Sequence, residues 1–245
     1  MWIKGSNRID KNCESNESNV NFIFKQDNIY VSDNHLTAAW CWLNHLDLSE
    51  NYNFCHIDRH YDLLNNLSEK DLNFIKIDPK LDFDSFISEL WTYGFPKFRY
   101  DNYILPIKRL YPNLFNKNIF VTMRDGDWNG FNYEVDNIYN PNFWDITDIS
   151  YQLNENSGNS YKWIVNFDLD YFFLHAGEGY IKFFDDQYIK HICSEINNSK
   201  ENIVMITIAL SPECCGGWDN AIRISNKVCK LLNVQLKLSI KKSTL

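Results

Sequence analysis

The chain has 245 residues, 44% hydrophobic and 16% aromatic, with a formal net charge of −8. That is enough apolar material for a full core and excludes a disordered chain. The acidic balance argues against nucleic acid or an anionic membrane as the main partner. The seven cysteines are an odd number and include no CxxC pair, so reduced thiols in a cytoplasm are expected over a disulfide framework or a zinc ribbon. The opening "MWIKGSNRID" has no apolar targeting core, and no apolar run approaches the ~20 residues of a membrane span.

Residues 1–20 are polar and read as a loose lead-in or an edge hairpin. "NIYVSDNH" (28–35) then ends a strand, and "LTAAWCWLNHL" (36–46) has helical apolar spacing. "NFCHID" (53–58) is a predicted strand, and "DFDSFISELWTYGF" (82–95) a predicted helix with an acidic first turn. Residues 118–125 and 162–173 read as strands, 185–197 as a helix, 202–210 as a strand, 218–232 as a helix and 234–240 as a closing strand. Several of these strands are apolar on both faces, as in a parallel sheet covered by helices on each side. The expectation is one α/β domain, a three-layer α/β/α fold with a mainly parallel sheet. The polar, aromatic stretch 126–161 reads as an insertion at an active site or surface.

Ligands in open α/β sheets bind beyond the carboxyl ends of the strands. Charged clusters follow four predicted strands: Asp33 and His35; Asp58, His60 and Asp62; Asp168 and Asp170; and Glu213. On an extended segment, alternate residues share a face, so Asp58, His60 and Asp62 can point together, as can Asp168 and Asp170. Burying such a triad without a cation is costly, and carboxylates sharing one pocket raise each other's pKa. Four Asp and two His without a thiolate favour Mn, Mg, Fe or Zn. Four carboxylates balance two dications, and a metal pair can activate water near neutral pH.

Other residues keep simpler readings open. His35 alone is as well explained as a neighbour of the next helix's start. His56 lies one pleat deeper and suits a hydrogen-bonded supporting role. His45, His175 and His191 read as structural. Asp125 and Asp127 in "MRDGDW" fit turn chemistry as well as a site. Cys214 and Cys215 read as small buried hydrophobes.

In this order, "SDNH", "DRHYD", "FDLD" and "SPE" resemble the ureohydrolases, the family of arginases and agmatinases. "HIDRHYDLL", "NFDLDYFF" and "ITIALSPECCGGW" are similar to a short branch that includes peptide arginases of ribosomal-peptide biosynthesis, which convert arginine side chains to ornithine. The resemblance implies an arginase-like fold and two Mn²⁺, with Zn²⁺ or Fe²⁺ as alternatives. One ion would be held by His35, Asp58, Asp62 and Asp168, the other by Asp58, His60, Asp168 and Asp170. Asp62 would also orient the nucleophile. Glu213 would accept the substrate guanidinium, its plain alternative being a loop acid. The implied partner is an arginine-containing peptide. The glycine pair that precedes the family's first His is replaced by Ser32, Asp33 and Asn34, and the DP after DxD by Phe172 and Phe173. Rival readings are hydrolysis of a small free guanidine compound, a metal-dependent deacetylase, and a peptide-binding protein without catalysis. Oligomeric state leaves no signature.

Overall fold

The apolar runs assemble into one eight-stranded sheet in a computed structural model that describes residues 1–64, 76–126, 138–139, 149–154 and 161–241. Its strands are β1 (Trp2–Lys4), β3 (Ile23–Gln26), β4 (Ile29–Ser32), β5 (Tyr52–Ile57), β6 (Phe115–Val121), β7 (Ile138–Tyr139), β8 (Trp163–Asp168) and β11 (Ile203–Ala209). Their spatial order is β1-β3-β4-β11-β8-β5-β6-β7. Every pair from β4 to β7 is parallel, while β1 and β3 add an antiparallel edge. Two short pairs stand apart: β9 (Phe173–Ala176) with β10 (Gly179–Lys182), and β2 (Arg8–Ile9) with β12 (Ser239–Ile240).

The parallel strands are buried on both faces, and alternate residues enter different cores. Cys55, Ile57, Ile119, Val121, Val165 and Phe167 face helices α4 (Ile149–Asn154), α5 (Asp186–Asn198) and α6 (Trp218–Leu231). Phe54, Phe120 and Ile164 face α1 (Leu36–His45), α2 (Phe83–Ile87) and α3 (Ile104–Leu110). Helix α5 shows why such segments dock. It buries Ile189, Ile192, Cys193 and Ile196, a stripe at helical spacing, and Asp185 caps its start by accepting from Tyr188 N at 2.8 Å. Each fully buried Phe or Ile contributes about 1.5–3 kcal/mol, so the strand ends that carry the polar residues are rigidly held. Among the described residues, no helix is long and apolar enough to cross a membrane.

Several sequence expectations are corrected. The helix expected over 82–95 spans only Phe83–Ile87, because the chain turns at Gly94, whose φ is +84°, and Trp91 N bonds Phe95 O. Helix α3 is masked in the sequence by Pro106, which sits in its first turn, where the absent N–H does no harm. The strand expected over 162–173 stops at Asp168 and becomes a 3-10 turn over Leu169–Phe172. The strand expected over 118–125 starts earlier and ends at Val121. The closing strand shrinks to Ser239–Ile240 and pairs outside the main sheet. Within residues 1–20, Trp2–Lys4 pairs with β3 and Arg8–Ile9 with β12. Most of the proposed insertion 126–161, including Asp127, lies outside the described residues; within it, Ile138–Tyr139 forms the sheet edge and Ile149–Asn154 a helix.

Candidate metal centre

The strands β4, β11, β8 and β5 are adjacent and parallel, so their carboxyl ends open onto one rim. His35 follows β4, Asp168 ends β8, and Asp58 follows β5. His60 is held by a bridge to Asp125 and by Asp58 Oδ1, which accepts from His60 N at 2.6 Å. Asp62 does not arrive by strand alternation. β5 ends at Ile57, and Asp62 takes a left-handed φ of +53°, a conformation Asp tolerates better than most residues. Likewise Asp170 reaches the centre through the 3-10 turn, its N–H donating to Asp168 Oδ1 at 2.9 Å.

Six of the residues singled out in the sequence converge. His35 Nδ1 lies 2.6 Å from Asp62 Oδ2, 3.1 Å from Asp58 Oδ2 and 3.2 Å from Asp168 Oδ2. His60 Nδ1 lies 3.0 Å from Asp170 Oδ2 and 3.4 Å from Asp58 Oδ1. Asp58 therefore turns one oxygen to each imidazole. His35, Asp58 and Asp62 offer ligand atoms within 4.8 Å of one another, and so do Asp58, Asp168 and Asp170. Ligands about 2.1 Å from an octahedral ion sit roughly 3 Å apart, which matches this spacing.

The residues fit a metal for a second reason. One imidazole N–H can serve one carboxylate well, yet three crowd His35. Asp58 Oδ2 and Asp170 Oδ2 are buried without a hydrogen-bond partner, despite lying so near the rings. Orphaned anionic oxygens at 0% and 1% residue exposure are expensive unless a cation answers them. Without metal, burial and neighbouring charge raise the carboxyls of Asp168 and Asp170. Burial and the Asp58 charge push Asp62 up to about 7. Asp58 moves the other way: burial opposes ionisation, but His35 and His60 outweigh it and hold its carboxyl low. Both imidazoles are raised, burial notwithstanding, by the carboxylates around them. Protons thus do part of the work that dications would do.

Support comes from behind the cluster. His56, lowered to about 4 by burial, receives the amide of Asn166 at 2.8 Å on Nδ1 and directs Nε2 toward Asp58 Oδ2, 3.6 Å away. Asn166 also donates to the Tyr103 hydroxyl at 2.6 Å and accepts from Thr207 at 2.7 Å. Ser211, not singled out in the sequence, donates its hydroxyl to Asp168 Oδ2 and sits at φ +42°. Its signal is the Ser-Pro pair directly after a strand. Asp33 carries no ligand atom. It accepts from the backbone of Asn21 and Phe22 at 2.9 Å, and its own carbonyl accepts from Ser211 N at 3.1 Å.

Above the cluster is a cavity of about 290 Å³ lined by His35, His60, Asp62 and Asp168, with Tyr100, Asp101 and Tyr180 among its walls. Arg59, also absent from the sequence reading, is buried in that wall. Its guanidinium lies 4.9 Å from the Tyr180 ring centre, 3.4 Å from Asp125 Oδ2 and 2.9 Å from His60 Nε2. Glu213 is not brought to the cavity. It is exposed and accepts from Ser15 N at 2.6 Å, while Ser211 and Cys214 of the same turn line the wall. Cys214 is partly exposed there, pushed up to about 12 by burial and by Asp170. Cys215 is fully buried, as expected of a small hydrophobe, and its Sγ contacts Leu210 O at 3.2 Å. His45 stacks on Tyr30 and His175 packs edge-on against Tyr180, as structural residues do. No protein family and no curated protein matches the chain.

Proposed function

We propose that this chain is a two-metal hydrolase of the ureohydrolase kind, which removes urea from arginine side chains of a peptide and leaves ornithine. The observation that carries the reading is Asp58, one buried carboxylate turned toward two imidazole-centred ligand sets. His35, Asp58, Asp62 and Asp168 would hold one ion, and Asp58, His60, Asp168 and Asp170 the other, with Mn²⁺ the expected metal. Such a pair supplies Lewis acidity and activated water. A sheet with helices on both faces and a site beyond its carboxyl edge accords with a three-layer, arginase-like arrangement.

The chain's own groups then have distinct tasks. Asp62 lines the cavity and would orient the attacking water. Asp101, on the cavity wall and paired with Arg99 at 3.0 Å, would receive a guanidinium in place of Glu213. The tyrosines at the walls shield the reacting carbon from bulk water. Exposed Phe95, Ile181 and Phe183, on segments adjoining Tyr100 and Tyr180, suit the flanks of a peptide.

Arg59 favours a second reading. A cavity-lining guanidinium can hold a carboxylate, so a small free guanidino acid is the alternative substrate. Incubating Mn²⁺-loaded protein with arginine and with an arginine-containing peptide separates the two. Urea release and loss of CH₂N₂ per arginine from the peptide alone supports the first reading. Turnover of free arginine alone supports the second, and turnover of neither substrate refutes both.

A further inference from the structure

The two halves of the centre are not chemically alike. Around His35 every neighbouring donor is a carboxylate oxygen. Around His60 a sulfur is present as well: ligand atoms of His60, Asp170 and Cys214 lie within 4.8 Å of one another. Asp170 Oδ2, in that same group, is buried and without a hydrogen-bond partner. The thiol also lines the cavity, so an ion entering from solvent meets it.

We propose that Cys214 is a metal ligand, supplying a thiolate to the ion held by His60 and Asp170 and making that half of the centre a thiophilic site. The inference rests on the metal reading above and goes beyond the His and Asp ligands it names. On binding, the Cys214 S–H bond breaks, the sulfur lone pair joins the metal, and the proton leaves to solvent. The consequence is selectivity. Oxygen-rich surroundings at His35 suit Mn²⁺, whereas imidazole, carboxylate and thiolate together suit Zn²⁺, Co²⁺ or Fe²⁺. The centre is therefore expected to be mixed when both kinds of ion are offered. It is also expected to be sensitive to thiol oxidation in a way an all-oxygen and imidazole centre is not.

The position of Cys214 explains why it differs from its neighbour. The 3-10 turn over Pro212–Cys214 follows Ser211, whose left-handed conformation redirects the chain at the end of β11. Cys214 is left facing the cavity, and Cys215 is directed into the core.

The test uses the full chain, stripped of metal and titrated with Co²⁺ while absorbance is recorded. Thiolate ligation gives an intense sulfur-to-cobalt charge-transfer band in the near ultraviolet, beside the weak ligand-field bands that any site gives. The native protein is expected to bind two Co²⁺ and show the band; Cys214→Ala is expected to keep ligand-field bands and lose the charge-transfer band. Two bound Co²⁺ without the band, or a band that survives in Cys214→Ala, overturns the sulfur ligand and leaves the metal centre standing. No Co²⁺ binding overturns both. Alkylation of native protein, followed by mass spectrometry at Cys214, gives a readout without mutation. Zn²⁺ is expected to protect this thiol, and equal labelling with and without Zn²⁺ counts against the ligand.

Discussion

Raising the pH should destabilise the metal-free protein and leave the loaded protein nearly unaffected. Asp62 lies 2.6 Å from His35 Nδ1, and burial together with the Asp58 charge raises its carboxyl from 3.8 to about 7. In metal-free protein the folded state therefore keeps a proton that the unfolded chain has already released. Stability is greatest below the unfolded value and is lost as pH rises through the folded one. One proton gives a slope of about 1.4 kcal/mol per pH unit, so the interval between the two values corresponds to about 4 kcal/mol. His35 and His60 act in the same direction: their raised values stabilise the fold below the unfolded value of 6.5, and that contribution is lost as pH climbs toward the folded values. His56, lowered to about 4 by burial, opposes them between about pH 4 and 6.5 but is outweighed by the three groups together. For a chain of this size 1 kcal/mol moves the melting temperature by about 2–4 °C, so Asp62 alone accounts for a fall on the order of 10 °C between about pH 4 and 8. Divalent ions replace those protons, so the loaded protein has no such slope, and its advantage over the stripped protein widens with pH. Differential scanning calorimetry of stripped and Mn²⁺-loaded protein across this range measures both curves. Parallel curves, or a stripped protein that melts higher at about pH 8 than at about pH 5, would refute the buried acid cluster as a proton-linked metal site.

Asp58→Asn keeps the shape of the shared ligand but removes its charge; metal analysis is expected to show loss of both ions from a folded chain, and two retained ions would deny it the shared position. Ser211→Ala removes the hydroxyl that steadies Asp168 and is expected to weaken metal affinity by about 10–100-fold, read by chelator competition. Asp101→Asn is expected to raise KM for the arginine peptide with metal content unchanged, because the proposal assigns its carboxylate to the substrate and not to metal. Glu213→Ala is expected to cost about 0.5–1.5 kcal/mol through the lost Ser15 bond and to leave turnover intact; a collapse of turnover at full metal content would restore its substrate role.

The alternation of apolar strands and helices is legible because strands buried on both faces have no polar residues to spare, as "WIVNF" and "VMITIAL" show. The convergence of His35, Asp58, His60, Asp62, Asp168 and Asp170 is equally visible, since each follows a strand that ends at one rim. The local route is not. Periodicity delivers Asp62 and Asp170 by strand alternation, whereas the fold uses a left-handed residue and a 3-10 turn. The turn at Asp170 is capped locally by the Asp168 carboxylate, and Asp62 meets His35 from 27 residues earlier, neither of which a periodicity argument contains. Arg59 is hidden because it stands between Asp58 and His60 in "DRHYD", a position that alternation assigns to the other face. Once the strand ends at Ile57 that rule lapses, and the side chain enters the cavity wall.

The order β4-β11-β8-β5 also constrains how the protein can be made. Neighbours at the rim come from residues near 35, 60, 170 and 211, so the final turns at the rim close only after the segment near residue 211 has been synthesised. An ion arriving early would find at most the pieces near 35 and 60. On the proposed metal reading, sheet assembly would bring like-charged side chains together with protons as temporary company, and the dications would enter through the finished opening. Acquisition of the ions is then expected to follow folding, with its own rate and its own dependence on the ions at hand.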